Sequence, residues 1–115
     1  CAVIGTLGVG FPGDLQETGF TTPEASTLMR CLAEFRAARA AACALEASSI
    51  GIEEGRMNGA RVDVAVFTNF TQDHLDYHGT MAAYREAKQR IWQIVKPGGM
   101  AAVNADSPEA DAFEA

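Results

Sequence analysis

Four short apolar runs punctuate the chain, at 2–7 (AVIGTL), 42–47 (ACALEA), 62–68 (VDVAVFT) and 100–104 (MAAVN). Their hydrophobic positions are nearly continuous rather than alternating, which predicts strands of a parallel sheet covered on both faces. Between them the period becomes helical. TTPEASTLMRCLAEFRAARAA predicts a helix with Thr22 as N-cap, Pro23 at the first helical position and Leu28, Cys31, Leu32 and Phe35 on the inner face. TMAAYREAKQRIWQIVKPGG predicts a second helix, capped by Thr80 and stopped at Lys96-Pro97-Gly98. SPEADAF opens a third with Ser107 and Pro108. Strands alternating with helices define an α/β class, a three-layer, mostly parallel sheet with helices on both faces. In such sheets ligands bind beyond the carboxyl ends of the strands. The residues to watch are therefore Thr6 to Gly10, Glu46 to Ser49, and Thr68 to His78.

Composition narrows the function classes. With 115 residues and 48% hydrophobic content, the chain suits one compact globular domain. A net charge of −6 argues against nucleic acid as the main partner, because phosphate backbones require a basic surface. No apolar run approaches the length of a membrane span, so no membrane insertion is expected. Cys1, Cys31 and Cys43 have no framework spacing, which predicts reduced core thiols and a cytoplasmic protein. The chain starts on a strand-like CAVIGTL without a methionine, which predicts a piece of a longer protein. Nothing in the pattern sets an oligomeric state.

Candidate chemistry gathers at the strand ends. GVGFPG matches G-x-G-x-x-G at Gly8, Gly10 and Gly13, but no helix start follows to offer amides to a pyrophosphate, so a flexible turn is expected. Glu46 ends a buried strand, where a bare carboxylate is costly; it must be paired, hydrated or bound to a cation, commonly magnesium at such a strand end, or else cap the amides of the next helix. TNFTQDHLDYHG carries His74 and His78 at zinc-like spacing, yet the segment reads as a loop and no third ligand completes a zinc site. A single imidazole, His74, at a strand end near Glu46 on the adjacent strand, suits one ligand of a catalytic cation, or a bond to loop backbone. Lys88 poses a different question. On a wheel at about 100° per residue, Lys88, Ile91 and Val95 lie within about 40° of Tyr84, so Lys88 falls in the apolar stripe. Its ammonium either snorkels to solvent or sits desolvated near the cation. Desolvation favours the neutral amine, which can add carbon dioxide to give a carbamate and thus an anionic ligand. Arg56, just past the Glu46 segment, suits a substrate carboxylate or faces solvent.

Six stretches together resemble the Mur ligases of peptidoglycan synthesis, in particular the MurE type: GTLG (5–8), TTPEA (21–25), LEASSIG (45–51), GRMNG (55–59), VAVFTNFTQDHLDYHGTMAAYREAK (64–88) and VNAD (103–106). They run in the family's order over nearly the whole chain, and the long string ending at Lys88 is the most specific. The resemblance implies the P-loop NTPase-like central ATP-binding domain over residues 1–115, without the upstream Gly-Lys-Thr phosphate loop or the N- and C-terminal domains. It implies an ATP-dependent ligase that phosphorylates the D-glutamate carboxylate of a UDP-N-acetylmuramoyl dipeptide and adds an amino acid, diaminopimelate or lysine. It also implies two magnesium sites, with Glu46 holding the ATP-bound ion and His74 with a carbamate on Lys88 holding the second. Thr21, Thr22, Ser48, Glu54 and Arg56 match substrate contacts. Two positions depart from the pattern: Ile50 stands where many relatives have histidine, and Glu54 where they often have glutamine. The isolated piece is expected to lack ligase activity. Alternatives are a folylpolyglutamate or cyanophycin synthetase-like ligase, and a non-catalytic α/β binding module in which Glu46, His74 and Lys88 do not converge.

Overall fold

The computed structural model describes residues 1–68 and 80–106. The chain divides into two compact units, Cys1–Ala60 and Arg61–Ala115. In the first unit, strands β1 (Ala2–Gly5), β2 (Gly8–Phe11), β3 (Asp14–Gln16) and β4 (Cys43–Leu45) form one sheet in the order β3-β2-β1-β4. Helix α1 (Ala25–Ala37) supplies the crossover from the meander to β4, and a short helix α2 (Ser49–Glu53) follows β4. β1 and β4 are parallel, with Ala2 opposite Cys43 and Ile4 opposite Leu45. The ladder continues one residue further, where the Glu46 amide donates to Ile4 O at 2.9 Å. The core forms where apolar side chains meet across this sheet and α1: Ala2, Ile4 and Leu28 are fully buried, with Cys31 and Phe35 close behind. Phe35 meets Phe11 of β2 edge to face, ring centroids 5.7 Å apart.

Two expectations for this unit change. GVGFPG is not a loose turn: Gly8 and Gly10 lie within β2, and the chain reverses at Pro12–Gly13 into β3, giving an antiparallel hairpin pair on β1. Strands of three and four residues with alternate glycines carry no apolar period, which is why the pattern does not reveal them. No helix begins there, in keeping with the rejected dinucleotide fingerprint. Thr22 is also not the cap of α1. The helix starts at Ala25 with Glu24 as N-cap and no side-chain cap bond. The Thr22 hydroxyl is fully buried and bonded to residues 46 and 48, so tertiary partners outcompete the local cap.

In the second unit, β5 (Val62–Phe67) pairs in parallel with β6 (Val95–Val103), from Val62 opposite Val95 to Phe67 opposite Val103. An irregularity between Val62 and Val64 lets β6 run on through Lys96-Pro97-Gly98 before Met100 rejoins the register. Helix α3 (Met81–Gln89) begins at the expected cap: Thr80 Oγ1 accepts from the Ala83 amide at 3.1 Å. It stops earlier than its periodicity predicts. After Gln89 the chain tightens into a 3-10 segment, Arg90–Ile94, and β6 already begins at Val95. Ile91 and Val95 therefore do not share an α-helical stripe with Lys88, because the coil spacing changes between them. On β5, Ala65 and Phe67 are buried while Val64 and Val66 are exposed, so its faces alternate rather than both being covered. The third predicted helix, from Ser107, lies outside the described residues.

All three cysteines are free thiols. Cys31 is buried on α1, and burial, with Cys31 adding to the effect, pushes the Cys43 thiol above its ordinary range. Among the described residues no helix is long and apolar enough to cross a membrane.

Candidate functional site

Parallel pairing brings the carboxyl ends of β1 and β4 to the same edge of the sheet, so Thr6 and Glu46 become neighbours there. The Glu46 carboxylate is held on both oxygens. Thr6 donates from its amide to Oε1 at 3.2 Å and from its hydroxyl to Oε2 at 3.0 Å. Gly5 makes this approach possible: a β-carbon on residue 5 would stand 2.2 Å from Glu46 Oε1. The alternative role for Glu46, capping the next helix, does not occur. That cap is Ser48, whose Oγ accepts from the Gly51 amide at 3.0 Å.

Thr21 and Thr22 enter from the segment before α1. Thr21 Oγ1 lies 2.9 Å from Thr6 Oγ1. A hydroxyl has one proton, and Thr6 gives its own to the carboxylate, so Thr21 is the donor in that contact. Thr22 turns inward. Its oxygen accepts from the Ser48 amide at 3.0 Å, its proton goes to Glu46 O at 2.9 Å, and Ser48 Oγ lies 3.1 Å from it. Thr22 therefore fixes the backbone on both sides of Ala47, and Gly51 leaves room for it, since a β-carbon there would meet Thr22 Cβ at 2.8 Å. Arg56 closes this group. Its Nη1 donates to Thr22 O at 3.0 Å, its Nη2 pairs with Glu54 Oε2 at 2.5 Å, and its guanidinium lies 5.5 Å from the centroid of the Phe20 ring.

The structure thus gathers Glu46, Thr21, Thr22, Ser48, Glu54 and Arg56 in one unit. Lys88 belongs to the other. It stands half-buried in the last turn of α3, with Nζ 5.9 Å from the centroid of the buried Phe67 ring at the end of β5. The amine is thus drawn to the carboxyl end of its strand. His74 lies outside the described residues. Among the described residues no three His, Cys, Asp or Glu side chains cluster as a metal site. Magnesium does not need such a cluster, since it takes one or two carboxylates and completes its shell with water and phosphate oxygens. Each Glu46 oxygen accepts one bond from Thr6 and keeps a second lone pair, and the side chain is exposed, so this hard oxygen donor fits that ion.

Three participants escape the pattern reading. Thr6 sits at a flagged strand end, but its role appears only once β1 and β4 pair. Phe20 reads as an isolated apolar residue in a loop. Asn104 reads as the tail of a strand, yet its amide donates to Phe67 O at 3.0 Å and its side chain donates to Thr68 O at 3.1 Å, fixing the backbone where β5 ends. Conserving such a backbone lock requires only an asparagine near a strand end, a weak signal in one sequence.

An α/β domain that presents a carboxylate and hydroxyls at the carboxyl ends of parallel strands belongs among the doubly wound, ligand-handling folds. The comparison with known families is more specific: the chain belongs to the family of Mur ligase middle domains, whose model matches residues 1–115. Among curated relatives, a UDP-N-acetylmuramoyl-L-alanyl-D-glutamate–2,6-diaminopimelate ligase of Acidovorax sp. (strain JS42) is 54% identical over 116 residues, covering 100% of this chain and 23% of that protein. The enzyme of the same name from Ralstonia nicotianae is 57% identical over 103 residues, covering 90% of this chain and 20% of the relative. A solved structure of a ligase of that name superposes with a TM-score of 0.85 at 42% identity, over 99% of this chain and 23% of that one. The chain therefore spans about a quarter or less of the length of these relatives.

Proposed function

We propose that this chain is part of a MurE-type enzyme, an ATP-dependent ligase that adds 2,6-diaminopimelate to UDP-N-acetylmuramoyl-L-alanyl-D-glutamate by way of an acyl phosphate. The carrying observation is the Glu46 carboxylate, clamped by Thr6 at the shared end of β1 and β4 beside Thr21. The choice of diaminopimelate over lysine follows the names of the relatives. A nucleotide-linked substrate goes with a cytoplasmic location.

The residues divide the work as follows. Glu46 would hold magnesium through its unused lone pairs, and the ion, when bound, neutralises charge around the transferring phosphoryl group. Thr6 keeps that carboxylate from swinging away. Thr21, half-buried at the site edge, is the hydroxyl placed to contact the muramoyl substrate, while Thr22 positions Ser48 and Arg56 from within. Arg56 offers its guanidinium to a substrate carboxylate, tethered by Thr22 O and Glu54. Lys88, shielded on one side by Phe67, is the amine for carbamate formation: its neutral nitrogen bonds to the carbon of carbon dioxide and releases one proton, leaving an anionic oxygen ligand to share with His74. No Gly-Lys-Thr phosphate loop occurs in these 115 residues, so the nucleotide's main phosphate cradle must come from elsewhere in the enzyme.

The test is a ligase assay on the full-length enzyme with UDP-dipeptide, diaminopimelate and ATP. Glu46→Gln is expected to lower kcat/KM by on the order of 10³-fold, the scale of a lost metal-charge interaction. Lys88→Ala is expected to do likewise while remaining folded, with partial recovery on adding short carboxylic acids. The isolated 115 residues should form no amide. Full activity of either variant refutes the assignment.

A further inference from the structure

The three-oxygen chain that joins Thr21, Thr6 and Glu46 has a direction. A carboxylate only accepts hydrogen bonds, so Thr6 spends its single hydroxyl proton on Glu46 Oε2 at 3.0 Å. The Thr6 oxygen must then accept in its 2.9 Å contact with Thr21. Thr21 in turn spends its proton on Thr6, which leaves lone pairs as the part of its hydroxyl open to a ligand. The Thr6 amide reinforces this order, because its 3.2 Å bond to Oε1 fixes which carboxylate oxygen faces the Thr6 hydroxyl.

We infer that Thr6 is a positioning and specificity-determining residue: it transmits the acceptor character of Glu46 to Thr21, so that Thr21 recognises a hydrogen-bond donor, an amide N–H or a hydroxyl, on the substrate. The inference rests on the proposed contact between Thr21 and the muramoyl substrate, and it adds to that contact a polarity and a distant controller. It needs neither metal nor ATP. It also separates from simple electrostatics by its sign. Replacing Glu46 by glutamine removes a negative charge, which through space strengthens binding of an anionic UDP-linked ligand. The relay does the opposite. The Thr6 amide requires the amide oxygen of residue 46 as its acceptor, so the new NH2 group faces the Thr6 hydroxyl. Thr6 then accepts from residue 46 and donates to Thr21, whose own proton turns toward the ligand's donor. Two donors face each other and the contact is lost.

The experiment is calorimetric titration of the full-length protein with UDP-N-acetylmuramoyl-L-alanyl-D-glutamate, without metal or ATP. Glu46→Gln is expected to weaken Kd by on the order of tenfold, the scale of one hydrogen bond turned into an unsatisfied pair. In a Thr6→Val background, which keeps the branched shape and removes the relay oxygen, Glu46→Gln should no longer weaken binding. In a Thr6→Ser background the weakening should return. Tighter or unchanged binding by Glu46→Gln in the parent background overturns the relay, as does an equal loss with and without the Thr6 hydroxyl. Thr21→Val separates the two levels: if it leaves Kd unchanged, the substrate contact is wrong and the relay falls with it. If it weakens Kd while Glu46→Gln does not, the contact stands and the relay alone is refuted.

Discussion

Glu46 shows how a single side chain acquires a function from its neighbours. Its carboxylate is exposed, so solvation supports its charge, yet both oxygens are fixed by one threonine. The weak point in that arrangement is Gly5. Its φ is not positive, so alanine is allowed by the backbone and reduces the freedom of the unfolded chain, an effect of roughly 0.4–1 kcal/mol in favour of folding. The nearest atoms an added methyl would meet all belong to the Glu46 side chain, which can swing away. Gly5→Ala should therefore leave the unfolding free energy from urea titration within about 1 kcal/mol of its parent while displacing the carboxylate from Thr6. In the full-length enzyme the magnesium concentration for half-maximal activity should rise by on the order of tenfold. An unchanged magnesium dependence would show that the clamp on Glu46 is idle. The Glu54–Arg56 pair illustrates the opposite case: the carboxylate is already matched to the guanidinium at 2.5 Å. Exposure screens that pair, so its worth lies in aiming Arg56 rather than in stability.

At the scale of elements, boundaries follow from what each end can bond. α3 opens where Thr80 satisfies the Ala83 amide, a purely local device. Thr80→Ala should cost about 1 kcal/mol of stability, read as a lower urea midpoint, with Thr80→Ser close to parent; equal midpoints for all three would remove the cap from the account. The far end of the same helix obeys a tertiary demand instead. β6 must start at Val95 to lie against Val62, so the chain tightens through Arg90–Ile94 rather than running on to Pro97. The hairpin of β2 and β3 is likewise fixed by tertiary partners, the pairing of β2 with β1 and the Phe11–Phe35 contact.

For the whole chain, family membership and burial make a joint statement about chemistry. The three thiols occupy graded environments: Cys1 exposed, Cys43 half-buried with a raised thiol, Cys31 buried. Because folding raises the Cys43 value, the native state keeps its proton longer than the unfolded chain does. Its contribution to stability is thus complete below the ordinary thiol range and is lost as pH rises through the folded value. Titration with a thiol-specific disulfide reagent at pH 8 should label Cys1 first, Cys43 slowly, and Cys31 only on unfolding. Labelling of Cys31 at the rate of Cys1 would contradict the core described for α1. The site's threonines, serine and arginine come together within the first unit, where the parallel pairing of β1 with β4 and the Thr22 hydrogen bonds join β1, β4 and the segment before α1.

The α/β class, the central apolar strands, the inner face of α1, the Thr80 cap and the family's string of residues through Lys88 were all legible without coordinates. Each depends on interactions between near neighbours in the chain, or on a pattern that spacing alone preserves. The hairpin, the end of α3 and the true occupation of Thr22 were not. They are decided by hydrogen bonds between residues far apart, such as Thr22 with Glu46 and Ser48, 24 and 26 positions away. Thr6 belongs to the same group: sequence marks it as a hydroxyl after a strand, and only the parallel pairing of β1 with β4 places it on the carboxylate. Local propensity cannot register a partner that exists only after the chain has closed on itself.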